Sequence, residues 1–239
     1  MSFVQKSLIA LLLALLMAGC GGRVDGMKET IRYSIYGSPD VTLSAEEMAK
    51  LKYASQYIKL TEQPRAMVVL GFDDNKDYHW LSGEKETVVT RYGRLVRTAG
   101  LDKGNDNIDS DIRYVRNIEQ DPLKCFVQKA NYKTCDKSWV SQVEIGDGSH
   151  TKRFSIKAEI KRISSTTVTL PNNEKVDAIK VEEELTATNH QTTQRFNNTF
   201  WLDSQNQRVL KSEQGLVPGF PVMQMEELKS YPVDLEARQ

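Results

Sequence analysis

The chain has 239 residues, in which 32 lysines and arginines balance 32 aspartates and glutamates. That balance leaves no basic excess, so charge points to no nucleic acid or other polyanion as a partner. The length is ample for one core, including a β-rich domain of the larger kind.

Lys6 is the only charged residue among the first nineteen, and Leu8–Ala18 is an unbroken apolar run of eleven. A helix crossing a bilayer needs about 20 residues, so this run is too short for a permanent span. A positive start and a short apolar stretch ending in small residues make a secretory leader. Here Met17-Ala18-Gly19 leads directly to Cys20, the pattern of a bacterial lipoprotein signal peptide. In that class the cysteine takes a diacylglyceryl group, cleavage occurs before it, and its new amine is acylated, with palmitate the kind of chain expected. One acyl chain anchors marginally and several anchor stably. Gly21 follows Cys20, where aspartate is the usual signal for inner-membrane retention, so the expected location is the outer membrane, lipid-anchored at its periplasmic face. The organisation expected is residues 1–19 as signal peptide, 20–29 as lipidated tether, and 30–239 as one β-rich periplasmic domain.

Gly21–Met27 reads as flexible tether. Thr30–Tyr36 alternates as a strand, and Gly37-Ser38-Pro39-Asp40 breaks it. Ser44-Ala45-Glu46-Glu47 fits a capping box, with Leu43 and Met48 as a hydrophobic staple. A short helix of three turns or fewer is predicted there, followed by a strand over Tyr53–Leu60. Ala66–Phe72, Tyr78–Leu81, Thr87–Arg91 and Leu95–Thr98 have strand composition, parted by polar or glycine turns. Lys103–Asp111 is a hydrophilic loop. Lys124–Tyr132 and Lys137–Ile145 read as strands flanking the cysteines. Phe154, Ile156, Ala158 and Ile160 alternate with charged residues, as in a strand with one wet face. Val176–Thr188, Gln194–Leu202 and Val209–Leu216 follow. The tail from Val217 holds three prolines and one more candidate strand near Met223–Leu228. The expected fold is mainly β: an antiparallel sheet forming a closed or half-open barrel, or a sandwich, with one short N-terminal helix.

Cys125 and Cys135 remain once Cys20 is lipidated, and an even pair in an oxidising compartment predicts a disulfide. Two free thiols or a metal pair are the alternatives. A Cys-x9-Cys spacing with no nearby histidine is poor for zinc.

At Tyr53-Ala54-Ser55, Val68-Val69-Leu70-Gly71, Trp80 and the stretch Gly93–Leu101 (GRLVRTAGL), the chain resembles the YjbF/GfcB lipoprotein family, encoded in capsule and exopolysaccharide operons of Gram-negative bacteria. The resemblance implies a barrel-like periplasmic domain tethered to the outer membrane. It also implies a role in assembly or export of a surface polysaccharide, beside a soluble periplasmic protein and an outer-membrane β-barrel of the same operon. It brings no catalytic residues.

Within the matched stretch, Gly93 and Gly100 suit positive φ at two turns. Arg91, Arg94 and Arg97, with Trp80, are the candidate contacts to a partner or glycan, since arginines fork onto carboxylates. Three arginines spaced by three do not share one strand face, so a structural corner is the plainer reading. Trp139 and Trp201 are further stacking candidates, although core packing is the plainer role for each tryptophan. His79, His150 and His190 lack metal-ligand spacing. Glu182, Glu183 and Glu184 alternate across a strand and read as a solvated edge. No motif for catalysis, a cofactor or a metal is present. Three functions remain: a non-enzymatic accessory in capsule or exopolysaccharide assembly or export, an acyl-chain carrier with a half-barrel cavity, or a polysaccharide-modifying enzyme. Mass spectrometry of the membrane-extracted protein should find Cys20 as a lipidated N-terminus; an intact, unmodified N-terminus would remove the leader reading.

Overall fold

The computed structural model describes residues 39–101, 111–128, 132–146 and 150–231. The leader, the tether, the Thr30–Tyr36 strand and nearly all of the Lys103–Asp111 loop lie outside them. The unit that begins at Val41 is one twelve-stranded antiparallel sheet, nearly closed into a barrel. Its strands are β1 (Ser55–Leu60), β2 (Ala66–Asp74), β3 (Asp77–Leu81), β4 (Thr87–Arg91), β5 (Arg94–Ala99), β6 (Ile112–Val115), β7 (Ser138–Gly146), β8 (Thr151–Thr169), β9 (Lys175–Thr188), β10 (Thr193–Asp203), β11 (Val209–Gln214) and β12 (Met223–Lys229). Apart from β5 and β6, strands adjacent in sequence pair with each other, and β1 also pairs with β12, from Ser55↔Lys229 to Leu60↔Met223. The break falls mid-chain, where β5 and β6 are the two free edges.

An unpaired edge exposes backbone donors and acceptors that must find other partners. Along β5 they are met by two side chains. Gln214 accepts from the Leu95 N–H at 3.0 Å and donates to the Gly93 carbonyl at 2.8 Å. Asp111, just before β6, accepts from Gly100 N–H at 2.7 Å, Leu101 N–H at 3.3 Å and the Thr98 hydroxyl at 2.8 Å. Thr98 in turn accepts from Ile112 N–H at 2.9 Å. The seam is therefore closed by side-chain hydrogen bonds where a ladder is missing.

The capping box forms as the sequence indicates: Ser44 accepts from Glu47 N–H and Glu47 accepts from Ser44 N–H. The helix it starts, α1 (Ala45–Ala49), is five residues long. Its Met48 packs with Leu43, Tyr57, Met67 and Leu228, while Ala54, Ile58 and Leu60 join the main core. β1 is thus buried on both faces, and this is why its apolar pattern is denser than simple alternation.

Lys124–Tyr132 is a correction: Pro122–Gln128 is a helix, α2, not a strand. Asp121 accepts from the Leu123 N–H at 2.9 Å, capping a helix whose first residue is proline, which suits both residue types. Leu123 and Phe126 pack against Ile160, Val181, Phe200 and Leu202. A disulfide joins Cys125 on α2 to Cys135, and a cross-link closing a loop this short stabilises by roughly 2–3 kcal/mol in the chain-entropy model.

β8 is longer than its alternating segment suggests. A bulge at Lys161 lets Ile160 face Glu183 while Arg162 faces Glu182. The extra residue changes which parity points inward, so Phe154 to Ile160 is followed by Ile163. Trp80, Trp139, Phe154, Phe196, Phe220 and Met225 share one main cluster, which fills the interior. Asp111→Ala should destabilise the barrel by about 1–3 kcal/mol and speed hydrogen exchange at the Gly100 amide. Unchanged exchange there would show that the seam is held by other means.

Candidate functional site

Two polar constellations stand out, one sealed and one open. The sealed one centres on Arg94, whose side chain has 0% exposure. Its guanidinium forks twice. Nε and Nη2 donate to Asp121 at 2.7 and 3.2 Å, and Nη1 and Nη2 donate to Glu183 at 2.8 and 2.7 Å. Asn198 donates to Glu183 at 2.9 Å and accepts from Gly215 N–H at 2.8 Å. The rings of Trp139 and Phe200 lie 5.1 and 5.0 Å from the guanidinium carbon. Burial works against charge on Arg94, yet the two carboxylates win and hold its pKa well above the usual range. Burial pushes the Asp121 carboxyl up, against the pull of Arg94. It also opposes ionisation of Glu183, but Arg94 and the Asn198 amide together hold that carboxyl below its ordinary value.

Around this centre α2 is clamped from outside. Glu119 accepts from Arg91 at 3.1 Å, Lys124 at 2.7 Å and the Tyr92 hydroxyl at 3.0 Å. Burial and the Glu119 carboxylate push the Tyr92 phenol up to about 12. Tyr92 and Gly93 both have positive φ, 55° and 79°, in the two-residue β4–β5 turn. A Cβ on Gly93 would meet Val209 at 2.4 Å, so that glycine is required by both torsion and space.

The open constellation is a cleft of about 530 Å³ beside β1, β3, β4, β11 and β12, bordered by Val127 and Gln128 of α2. Ser55, Leu210 and Ser212 are its most buried lining residues, and Trp80 and Thr90 are buried as well. The Trp80 indole N–H donates to Thr90 at 2.9 Å. Tyr78 and Tyr231 form an aromatic edge, their centroids 5.3 Å apart. Six charged side chains line the cleft: Asp73, Lys76, Arg208, Lys211, Glu227 and Lys229. Arg208 is bound by Asp203 at 3.1 Å and Glu227 at 3.0 Å. Burial raises the Glu227 carboxyl despite that arginine.

Arg91, Arg94 and Arg97 do not assemble into a strip, the alternative to the plainer structural corner. Arg94 is enclosed, Arg91 is paired with Asp77 at 2.6 Å and with Glu119, and Arg97 is exposed on β5. Enclosure removes Arg94 from contact with any solvent-borne glycan; burial beside two carboxylates is the physical reason. Trp80 is 9% exposed and lines the cleft. Trp139 is buried, donating to the Asn117 carbonyl at 3.0 Å, and Trp201 lies between Lys180 and Lys211. Glu182 and Glu184 are on the wet face, but Glu183 is buried, so the acidic triplet is not wholly a solvated edge. His79 is buried, stacked at 4.0 Å on Phe72, with Nε2 unpartnered. Burial and nearby Arg97 push its pKa down. No cluster of three or more metal-ligating side chains occurs among the described residues.

The profile of the family described as group 4 capsule polysaccharide lipoprotein gfcB, YjbF matches residues 28–228. The lipoprotein GfcB of Escherichia coli (strain K12) is 27% identical over 228 residues, covering 95% of this chain and 100% of its own. The lipoprotein YjbF of the same strain is 28% identical over 213 residues, covering 89% and 92%. The crystal structure of the hypothetical lipoprotein YmcC from Escherichia coli (K12) superposes with a TM-score of 0.67 at 26% identity, over 85% of this chain and 96% of that one.

Arg94→Met should cost about 3–5 kcal/mol in urea unfolding at neutral pH, because it strands two buried carboxylates. In that variant the folded-state carboxyl pKa values rise above their unfolded values, so the contribution these groups make is present at low pH and lost as pH rises. The deficit against wild type should therefore shrink on acidification from about pH 7 to about pH 4. A deficit that stays flat would contradict the charge argument.

Proposed function

This chain belongs to the YjbF/GfcB family of group 4 capsule polysaccharide lipoproteins, and from that membership we propose that it is a lipid-anchored, non-enzymatic accessory in the assembly or export of a surface polysaccharide. The anchor is the Cys20 lipid, and Gly21 after it favours the outer membrane, periplasmic face. No helix among the described residues is long and apolar enough to cross a membrane, which accords with attachment by lipid. Its partners are an outer-membrane β-barrel and a soluble periplasmic protein of the same operon.

The observation that carries the non-catalytic reading is the state of the buried acids. Asp121, Glu144, Glu183 and Asp203 are the buried carboxylates among the described residues, and each is bound to an arginine: Arg94, Arg153, Arg94 and Arg208. A glycosidase needs one carboxyl held protonated and a second free to act on the sugar. Carboxylates paired with arginine serve neither role, and of the two in the cleft Glu227 is likewise bound to Arg208, which leaves Asp73 as the one carboxylate of its lining without an arginine. A carrier of acyl chains is disfavoured on separate grounds. Among the described residues the core is packed with the protein's own side chains, and the open cleft is lined by six charged residues, an expensive neighbourhood for a hydrocarbon tail.

Deleting the gene should lower surface polysaccharide while leaving sugar-nucleotide pools intact, measured by extraction and uronic-acid or total-sugar assay. Normal surface polymer in the deletion strain would overturn the accessory role.

A further inference from the structure

The lining of the open cleft is not explained by folding alone. Lys76 sits in the two-residue turn between β2 and β3, where Asn75 and Lys76 have φ of 53° and 75°. Such turns take glycine at the second position, because a Cβ is strained there. A lysine is kept there at a conformational cost, and its side chain lines the cleft. No carboxylate among the described residues pairs with it. Across the cleft the Lys229 ammonium donates to the Leu51 carbonyl, a neutral acceptor. Lys211 lies 3.8 Å from Glu226, at the outer limit of an ion pair, and 5.7 Å over the Trp201 ring. Of the two acids in the lining, Glu227 is bound to Arg208, while Asp73 accepts the Lys76 backbone N–H at 2.9 Å and keeps its charge. Lys76, Arg208, Lys211 and Lys229 thus outnumber Asp73 and Glu227 by two, and the rim carries that positive excess.

Within that rim the surface is aromatic and amide-bearing. Tyr78 lies between Trp80, 6.4 Å away, and Tyr231, which is 37% exposed. The Gln56 amide donates to the Met225 thioether at 3.9 Å, a weak acceptor that a hydroxyl would readily displace. Thr90 uses its oxygen to accept from Trp80 and keeps a proton to donate. Rings with one apolar face and nearby polar groups suit pyranose rings, which have a C–H face and a hydroxyl edge. The volume of about 530 Å³ lies within the usual range for small-ligand sites. Ammonium groups at the mouth add charge-assisted bonds to carboxylates.

We propose that this cleft binds an acidic saccharide, with Tyr78, Trp80 and Tyr231 against sugar rings and Lys76, Lys211 and Lys229 meeting sugar carboxylates. The proposal rests on the reading that the protein handles a surface polysaccharide, and it names where on the protein the polymer would touch.

The test uses the full-length lipidated protein in detergent, titrated calorimetrically with tri-galacturonic acid and, as the neutral comparison, maltotriose. Tri-galacturonic acid should bind at millimolar concentration or below, more weakly as salt rises, and maltotriose distinctly less. The double variant Lys76→Gln/Lys229→Gln and the single variant Tyr231→Ala alter exposed positions, so their thermal midpoints should match wild type while affinity falls about tenfold. No binding of tri-galacturonic acid, equal binding of maltotriose, or wild-type affinity in both variants would each overturn the proposal. A complementation arm separates it from the accessory role. If deletion lowers surface polysaccharide and the double variant restores it fully, the cleft proposal falls and the accessory role stands. If deletion changes nothing while tri-galacturonic acid binds and the variants lose it, the site stands and the accessory role falls.

Discussion

Arg94 lies without exposed surface between Asp121 and Glu183, and the three residues come from an edge strand, a helix cap and the middle of the long β8–β9 hairpin. Each charge alone would be costly to bury; together, with Asn198 completing Glu183, they are satisfied. The arrangement does not need to add net stability to matter. It holds only when β5, α2 and β9 stand in one relation, so misplacing any of them leaves a bare ion inside. Gln214 and Asp111 do the same for the free edge of β5 at lower stakes, with neutral donors in place of a guanidinium. A barrel with a gap in its ladder is in this way fixed by side chains reaching across it.

That network also bears on the cleft. Gln214 grips the β4–β5 turn, Tyr92 of that turn holds Glu119, and Glu119 and Asp121 flank the start of α2, whose far end contributes Val127 and Gln128 to the cleft wall. The rigid part of the molecule and the open part therefore share elements. Tyr78, Lys76, Lys211 and Lys229 are presented at the cleft by strands and a tight turn, which place them more exactly than long loops would.

Much of the architecture was legible in residue pattern. Thr87–Arg91 was bounded by its turns as the structure has it, and Phe154–Ile160 alternated because one face is wet. The capping box announced α1. What escaped was what depends on distant residues or on broken periodicity. α2 spans seven residues, too few for a helical period to separate from a strand, although Asp121-Pro122 carried a local start signal. Arg94 looked like its neighbours Arg91 and Arg97 because its acids lie 27 and 89 positions away. A bulge at Val96, opposite Val89 and Thr90, also disrupts the two-residue period along β5. Glu183 was hidden for the converse reason: alternation correctly set it apart from Glu182 and Glu184, but nothing local showed that its own face looked inward. Of the cleft residues sequence singled out Trp80 as a contact; the rest could not be collected, because β3 and β12 meet there only through the strand order.

That strand order has a consequence for how the chain comes into being. β1 needs β12 as its second neighbour, so it leaves the ribosome with one flank bare and waits for nearly the whole domain to follow. The contact is about as non-local as the sequence permits, and such contacts form late and slowly. During that interval Tyr57 has Met67 beside it on β2 but lacks its cross-strand partner Glu226. Loss of the last strand would therefore leave the first one sticky, turning a C-terminal truncation into an aggregation lesion at the opposite end of the chain.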